Sequence, residues 1–257
     1  MNPSRTFLKQ FVNPPNWFTF ASIFCGFSSI LISAAATEPS EFYRAGLLIV
    51  FAGLFDTLDG RVARMTGTGS ELGVQLDSLA DVVSFGIAPT LLVHYWGLHK
   101  LGPVGIAAVF IFLICGIMRL ARFNVKTDGG KKIHSCGLPI TAAGGLLAAM
   151  VMAHTAIGAV DVANPVNPLW LVLALSGLMI SEVPYRLLAE LRRSKTGIAV
   201  ITTLLATGIA VGLKYGVAIF LFSFGLTYIA SGPILALRQR GAVRRQSASL
   251  APLDDEE

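Results

Sequence analysis

The sequence predicts an all-α fold: a polytopic integral membrane helix bundle of eight spans. Three observations carry this expectation. Of the 257 residues, 54% are hydrophobic and only 14% are charged, against about 25% charged in a typical soluble domain. Mean hydropathy is +0.67, and several apolar runs approach the roughly 20 residues that a helix needs to cross a bilayer. Between the runs lie short polar segments, TEPSE at 37–41, TGTGS at 66–70 and NPVNP at 164–168, whose composition interrupts helices and reverses the chain.

The elements follow in order. Residues 1–16 read as a cytoplasmic juxtamembrane segment. Phe7, Leu8 and Phe11 set against Arg5, Lys9 and Gln10 suit a short helix lying on the membrane surface. The NPPN at 13–16 breaks it, with Asn16 as the cap of the first span. No small-residue cleavage site follows the opening MNPSRTFLKQF, so the first span is expected to stay in the mature protein. Span 1 covers residues 17–36, span 2 runs from 42 to beyond 59, span 3 covers 72–96 and span 4 covers 104–122. A polar loop is expected at 123–136, then span 5 at 138–159 and span 6 at 169–187. Spans 7 and 8 fall at 197–213 and 215–237. Residues 238–257 are basic and then acidic, the pattern of a disordered cytoplasmic tail.

This topology can be tested on charge. With both termini on one side, all but three of the 20 Lys and Arg residues share that side; the exceptions are Arg44, Lys100 and Lys214. Positive charge marks the cytoplasmic face. The net charge of +5 is thereby explained by membrane topology, without nucleic acid as a partner. Trp17, Trp96 and Trp170 fall near the expected interfaces, where aromatic belts form. Cys25, Cys115 and Cys136 show no metal-ligand spacing and read as small buried hydrophobes.

Against this apolar background stand Asp56, Asp59, Asp77 and Asp81. Separations of three and four residues put each pair on one helix face. Spans 2 and 3 are antiparallel, so the two pairs meet at one depth near the cytoplasmic side. Charges at membrane depth are costly and mark function. Facing carboxylates call for a neutraliser, and Mg²⁺ or Mn²⁺, as one or two divalent ions, prefers such oxygens, often shared with a substrate's phosphates. Gly60, Ala63, Gly67, Gly69 and Gly73 leave room for a ligand, and Arg64 adds a phosphate-pairing cation. Two other readings stay open at this point. Arg61 and Arg64 could simply neutralise two of the aspartates in a structural helix pair, or the acids could line the path of a metal-ion or proton transporter.

The pattern Asp56-x2-Asp59-Gly60-x2-Ala63-Arg64-x8-Gly73-x3-Asp77-x3-Asp81 resembles the signature of the CDP-alcohol phosphotransferase family. The resemblance implies a six-span catalytic core, residues 17–190, with two additional C-terminal spans at 191–237. It implies two divalent ions, Mg²⁺ or Mn²⁺, held by Asp56, Asp59, Asp77 and Asp81, with Asp81 also the catalytic base. It implies contact with the CDP group for Asp56, Gly60, Ala63, Arg64 and Gly73. It further implies a homodimer, while the Lys and Arg distribution puts the active site and both termini of this multi-pass chain on the cytoplasmic side of the cell inner membrane.

The segments DSLADVVSFGIAP at 77–89, RLARFNV at 119–125, GLPITAA at 137–143 and LMISEVPYR at 178–186 resemble the serine-accepting branch of that family. The implied substrates are CDP-diacylglycerol and L-serine. Glycerol 3-phosphate or inositol phosphate would be the alternative acceptor. A serine carboxylate needs a cation near the aspartates, and Arg119, Arg122 and Arg186 sit at the right level, with Ser84 and Asn124 as further candidate contacts. Glu182 is expected to pair with Arg186 at i,i+4.

Overall fold

Two consecutive prolines, Pro14 and Pro15, open the first helix, where their missing N–H groups would have had no partner in any case. The computed structural model describes residues 14–67, 70–127, 137–158, 162–183, 185, 212, 216–230, 232 and 233. Helix α1 spans Pro14–Ala35. Asn16 therefore lies inside its first turn, buried, instead of capping it as expected: the prolines, pre-set to helical φ, move the start two residues earlier.

Helix α2, Pro39–Thr66, follows a three-residue turn. Glu41 fastens its start by accepting the backbone N–H groups of Thr37 at 2.7 Å and Glu38 at 3.1 Å. Its end is set by Gly67, whose φ of 63° is the left-handed stop that glycine supplies without steric cost. Helix α3, Glu71–Asp81, starts on Ser70, whose hydroxyl accepts the Gly73 N–H at 3.0 Å. The chain then passes through a π-helical turn, Val82–Ile87, into α4, Ala88–Trp96. Helices α5 (Pro103–Thr127), α6 (Ile140–Ala156) and α7 (Val166–Ile180) complete the set up to residue 180, and α8 covers Val217–Ala230.

Several expected boundaries move. Span 4 continues five residues into the segment expected to be a loop, so Phe123 and Asn124 are helical. Helix α7 begins inside NPVNP, at Val166, because a proline within the first turn of a helix is tolerated. It ends at Ile180, earlier than expected, with Ser181 extended and its hydroxyl donating to Leu178 O at 2.8 Å. Pro184 follows in the sequence, and the residue before a proline is biased away from helix. The chain leaving α7 then ties down the start of α6: Gly137 N–H donates to Val183 O at 2.9 Å and Leu138 N–H to Leu178 O at 3.0 Å. Residues 1–13, span 7 apart from Gly212, Arg186, Cys136 and the tail lie outside the described residues.

The described residues are all helix, turn and loop, with no strand. Three stretches, Asn16–Ala35, Leu72–Trp96 and Pro103–Val125, are long and apolar enough to cross a membrane, and three shorter helices, α6, α7 and α8, are also apolar. Helix α2 is long enough, about 42 Å at 1.5 Å per residue, but carries charge at both ends. The chain is a polytopic membrane helix bundle. Phe24, Phe27 and Leu31 on α1 and Ile106, Phe110 and Met118 on α5 are exposed, which suits contact with lipid tails.

The π-helical turn sits at the centre, touching α1, α2, α5 and α6, with Ser84, Phe85 and Gly86 buried in it. Two glycines permit this approach. A Cβ on Gly26 of α1 would lie 2.7 Å from Ser84 Cα, and one on Gly144 of α6 would overlap the Phe85 carbonyl oxygen. Phe85, Phe112, Leu92, Ile140 and Leu147 pack the surrounding core. The turn directly follows Asp81, so the packing that fixes the turn also fixes the end of α3.

Candidate active site

On α2, Asp56, Asp59, Gly60, Ala63 and Arg64 repeat at helical spacing and share one side. On α3, Gly73, Asp77 and Asp81 do the same. The reversal at Gly67–Ser70 folds these faces together. Asp56, Asp59 and Asp77 each bring one carboxylate oxygen to within 4.8 Å of the others. Two unit charges at that separation repel by about 3.5 kcal/mol at an effective dielectric of about 20. Three hard oxygens converging in this way are a donor set suited to a divalent cation.

Asp81 lies one turn beyond Asp77 and is buried. Its carboxylate contacts that of Asp56, and its Oδ1 has no hydrogen-bond partner among the described residues. An orphaned buried carboxylate oxygen is expensive and is able to accept a proton or a cation. Asp59 is held from outside the motif: Thr19 of α1 donates its hydroxyl to Asp59 Oδ2 at 2.9 Å.

Gly60 faces open space, since a Cβ there would meet nothing within 4 Å. Gly73 is closer set, with the Ser70 hydroxyl 3.3 Å and Asn16 Oδ1 3.8 Å from a Cβ position. Ala63 is half-buried, and Arg61 and Arg64 are exposed. Among the described residues no ion pair joins either arginine to an aspartate, which removes the support for a purely structural helix pair.

The residues expected near the acceptor separate. Arg119 on α5 is half-buried, within electrostatic reach of Asp81, and lies over the Phe123 ring at 5.9 Å. Arg122 is turned to α7: it donates to Ile180 O at 3.4 Å and pairs with Glu182 at 3.6 Å. Glu182 thus has Arg122 as a partner; the expected pair with Arg186 falls outside the described residues. Asn124 donates to the Ser78 hydroxyl at 3.0 Å, joining α5 to α3 between Asp77 and Asp81. Ser84 is fully buried; its hydroxyl donates to Ser22 O at 3.0 Å and accepts from Ser22 Oγ at 3.3 Å. It offers no surface to a substrate in this arrangement.

Sequence reasoning missed Thr19, Ser78 and Tyr228. Thr19 had a signal: Asn16, Thr19, Ser22, Ser29 and Ser33 form a polar stripe along an otherwise apolar span, and all are buried. Tyr228 had none, because it comes from the last described helix. Its ring lies 5.8 Å from that of Tyr185, tilted by 41°, and it interacts electrostatically with Arg119, so α8 reaches the neighbourhood of the site.

The CDP-alcohol phosphatidyltransferase family model matches residues 12–229, and the chain belongs to that family. The match includes α8. Among curated proteins, the chain is 37% identical over 178 residues to the CDP-diacylglycerol–serine O-phosphatidyltransferase of Helicobacter pylori, covering 68% of this chain and 73% of the relative. It is 33% identical over 180 residues to the archaetidylserine synthase of Methanothermobacter thermautotrophicus, covering 69% and 71%. It is 38% identical over 135 residues to the Saccharomyces cerevisiae CDP-diacylglycerol–serine O-phosphatidyltransferase, covering 49% and 48%.

Proposed function

We propose that this chain is a CDP-diacylglycerol–serine O-phosphatidyltransferase. It transfers the phosphatidyl group of CDP-diacylglycerol to the hydroxyl of L-serine, giving phosphatidylserine and CMP. The observation that carries this reading is that relatives matching two thirds of the chain or more bear serine-product names in both a bacterium and an archaeon. The name of the lipid differs between them, and serine is common to both.

Asp56, Asp59, Asp77 and Asp81 would hold the divalent cations, two Mg²⁺ or Mn²⁺ ions. When bound, these neutralise the pyrophosphate and the developing charge on the departing CMP phosphate. Gly60, Ala63, Gly73 and Asp56 form the surface on which the CDP group lies, and the open space beside Gly60 suits that role. Arg64 pairs with phosphate oxygen. Asp81 takes the proton of the serine hydroxyl. The deprotonated serine oxygen forms a bond to the lipid-side phosphorus as the bond from that phosphorus to the bridging oxygen of CMP breaks. Arg119, within electrostatic reach of Asp81, receives the serine carboxylate. Arg122, Arg186 and Asn124 support that pocket from its rim, and Ser84 serves packing.

The catalytic site and both termini face the cytoplasm of the cell inner membrane in this reading, supported by the skewed distribution of Lys and Arg. A homodimer follows from the family resemblance. The test is CMP release by purified protein from CDP-diacylglycerol and Mn²⁺ with single alcohols. Release with L-serine is expected. Release with glycerol 3-phosphate or an inositol phosphate, and none with serine, would move the chain to another branch. No release with any alcohol would overturn the enzyme reading.

A further inference from the structure

Thr19 stands on α1, three residues after Asn16, and both side chains are buried. The Thr19 hydroxyl donates to Asp59 Oδ2, while Asn16 packs beside Gly73. One face of α1 therefore touches both arms of the aspartate motif, Asp59 on α2 and Gly73 on α3, although α1 contributes nothing to the motif itself. An ionised carboxylate accepts through two oxygens and turns easily about its terminal torsion. A donor fixed on one oxygen sets the plane of the group and leaves the other oxygen for a cation. The donor here is itself held: α1 lies along α2 over much of its length, and a β-branched side chain in a helix has few χ1 choices.

We propose that Thr19 is a positioning residue for divalent-cation binding, holding Asp59 Oδ2 so that the other Asp59 oxygen is set toward Asp56 and Asp77. This rests on the cation role of the aspartate cluster proposed above. Partners of this outer kind change metal affinity by about 10- to 100-fold when removed.

The experiment uses the full chain in detergent, with Mn²⁺ as the probe. Free Mn²⁺ is followed by electron paramagnetic resonance, and thermal unfolding is followed in EDTA. Thr19→Val should bind Mn²⁺ at least about tenfold more weakly than wild type. It should unfold in EDTA at the wild-type temperature, and Thr19→Ser, which keeps the hydroxyl, should restore tight binding. A valine variant with wild-type Mn²⁺ affinity would overturn the proposal, as would a serine variant no better than valine. Should valine prevent purification of folded protein, Thr19→Ser against Thr19→Ala makes the same comparison, and equal affinities would overturn it. A wild-type chain that binds no Mn²⁺ would overturn the cation role and this proposal together.

Discussion

The two sides of the proposed site are built differently. The donor side comes from two consecutive helices joined at Gly67–Ser70, and its residues keep fixed helical spacing. The acceptor side is gathered from α5, the chain after α7, and the approach of α8. On the donor side three carboxylates converge within 4.8 Å. On the acceptor side most candidates already have protein partners: Arg122 has Glu182, Asn124 has Ser78, and Ser84 has Ser22. Among the described candidates, Arg119 lies within electrostatic reach of Asp81. The difference points to a donor cradle set by local helical spacing and an acceptor pocket whose selectivity is concentrated in few side chains.

The most severe way to break this contrast is Asp81→Asn. The asparagine keeps the shape and removes the base, and CMP release with serine should fall by about 10²–10⁴-fold. Activity near wild type would remove Asp81 from that role. The contrast is sharpened next by Arg119→Gln. Losing a charged hydrogen bond costs about 1.5–3 kcal/mol, so the KM for serine should rise by roughly ten- to a hundredfold, with the KM for CDP-diacylglycerol little changed. Equal rises in both would place Arg119 on the donor side. The smallest effect is expected for Arg122→Gln, which loses an exposed ion pair worth about 1 kcal/mol or less. Its KM for serine should shift by about fivefold at most, and a larger shift would return Arg122 to the acceptor pocket.

The donor side was legible in the sequence because its information is local. Charge is rare in this chain, so four aspartates at three- and four-residue spacing stand out, and the flanking glycines and Arg64 narrow the chemistry. The membrane-bundle class was legible for a related reason, since hydrophobic length is a one-dimensional property. What sequence could not supply is long-range pairing. Nothing in Glu182 says that it will meet Arg122, because that contact depends on where α7 stops. The early stop itself comes from Pro184, a signal available but outweighed by the apolar run before it. The π-helical turn at Val82–Ile87 had no signature, as an extra residue in a helical turn leaves apolar composition unchanged. Its burial of Ser84 withdraws a residue that looked, by position alone, ready to meet a substrate.

The reaction itself is tested most directly by oxygen transfer. Wild-type protein is supplied with CDP-diacylglycerol, a divalent cation and L-serine labelled with ¹⁸O in its hydroxyl, and both products are weighed by mass spectrometry. Attack by the serine oxygen on the lipid-side phosphorus predicts one ¹⁸O in the phosphatidylserine and none in the CMP. Unlabelled phosphatidylserine, or label appearing in the nucleotide, would contradict it.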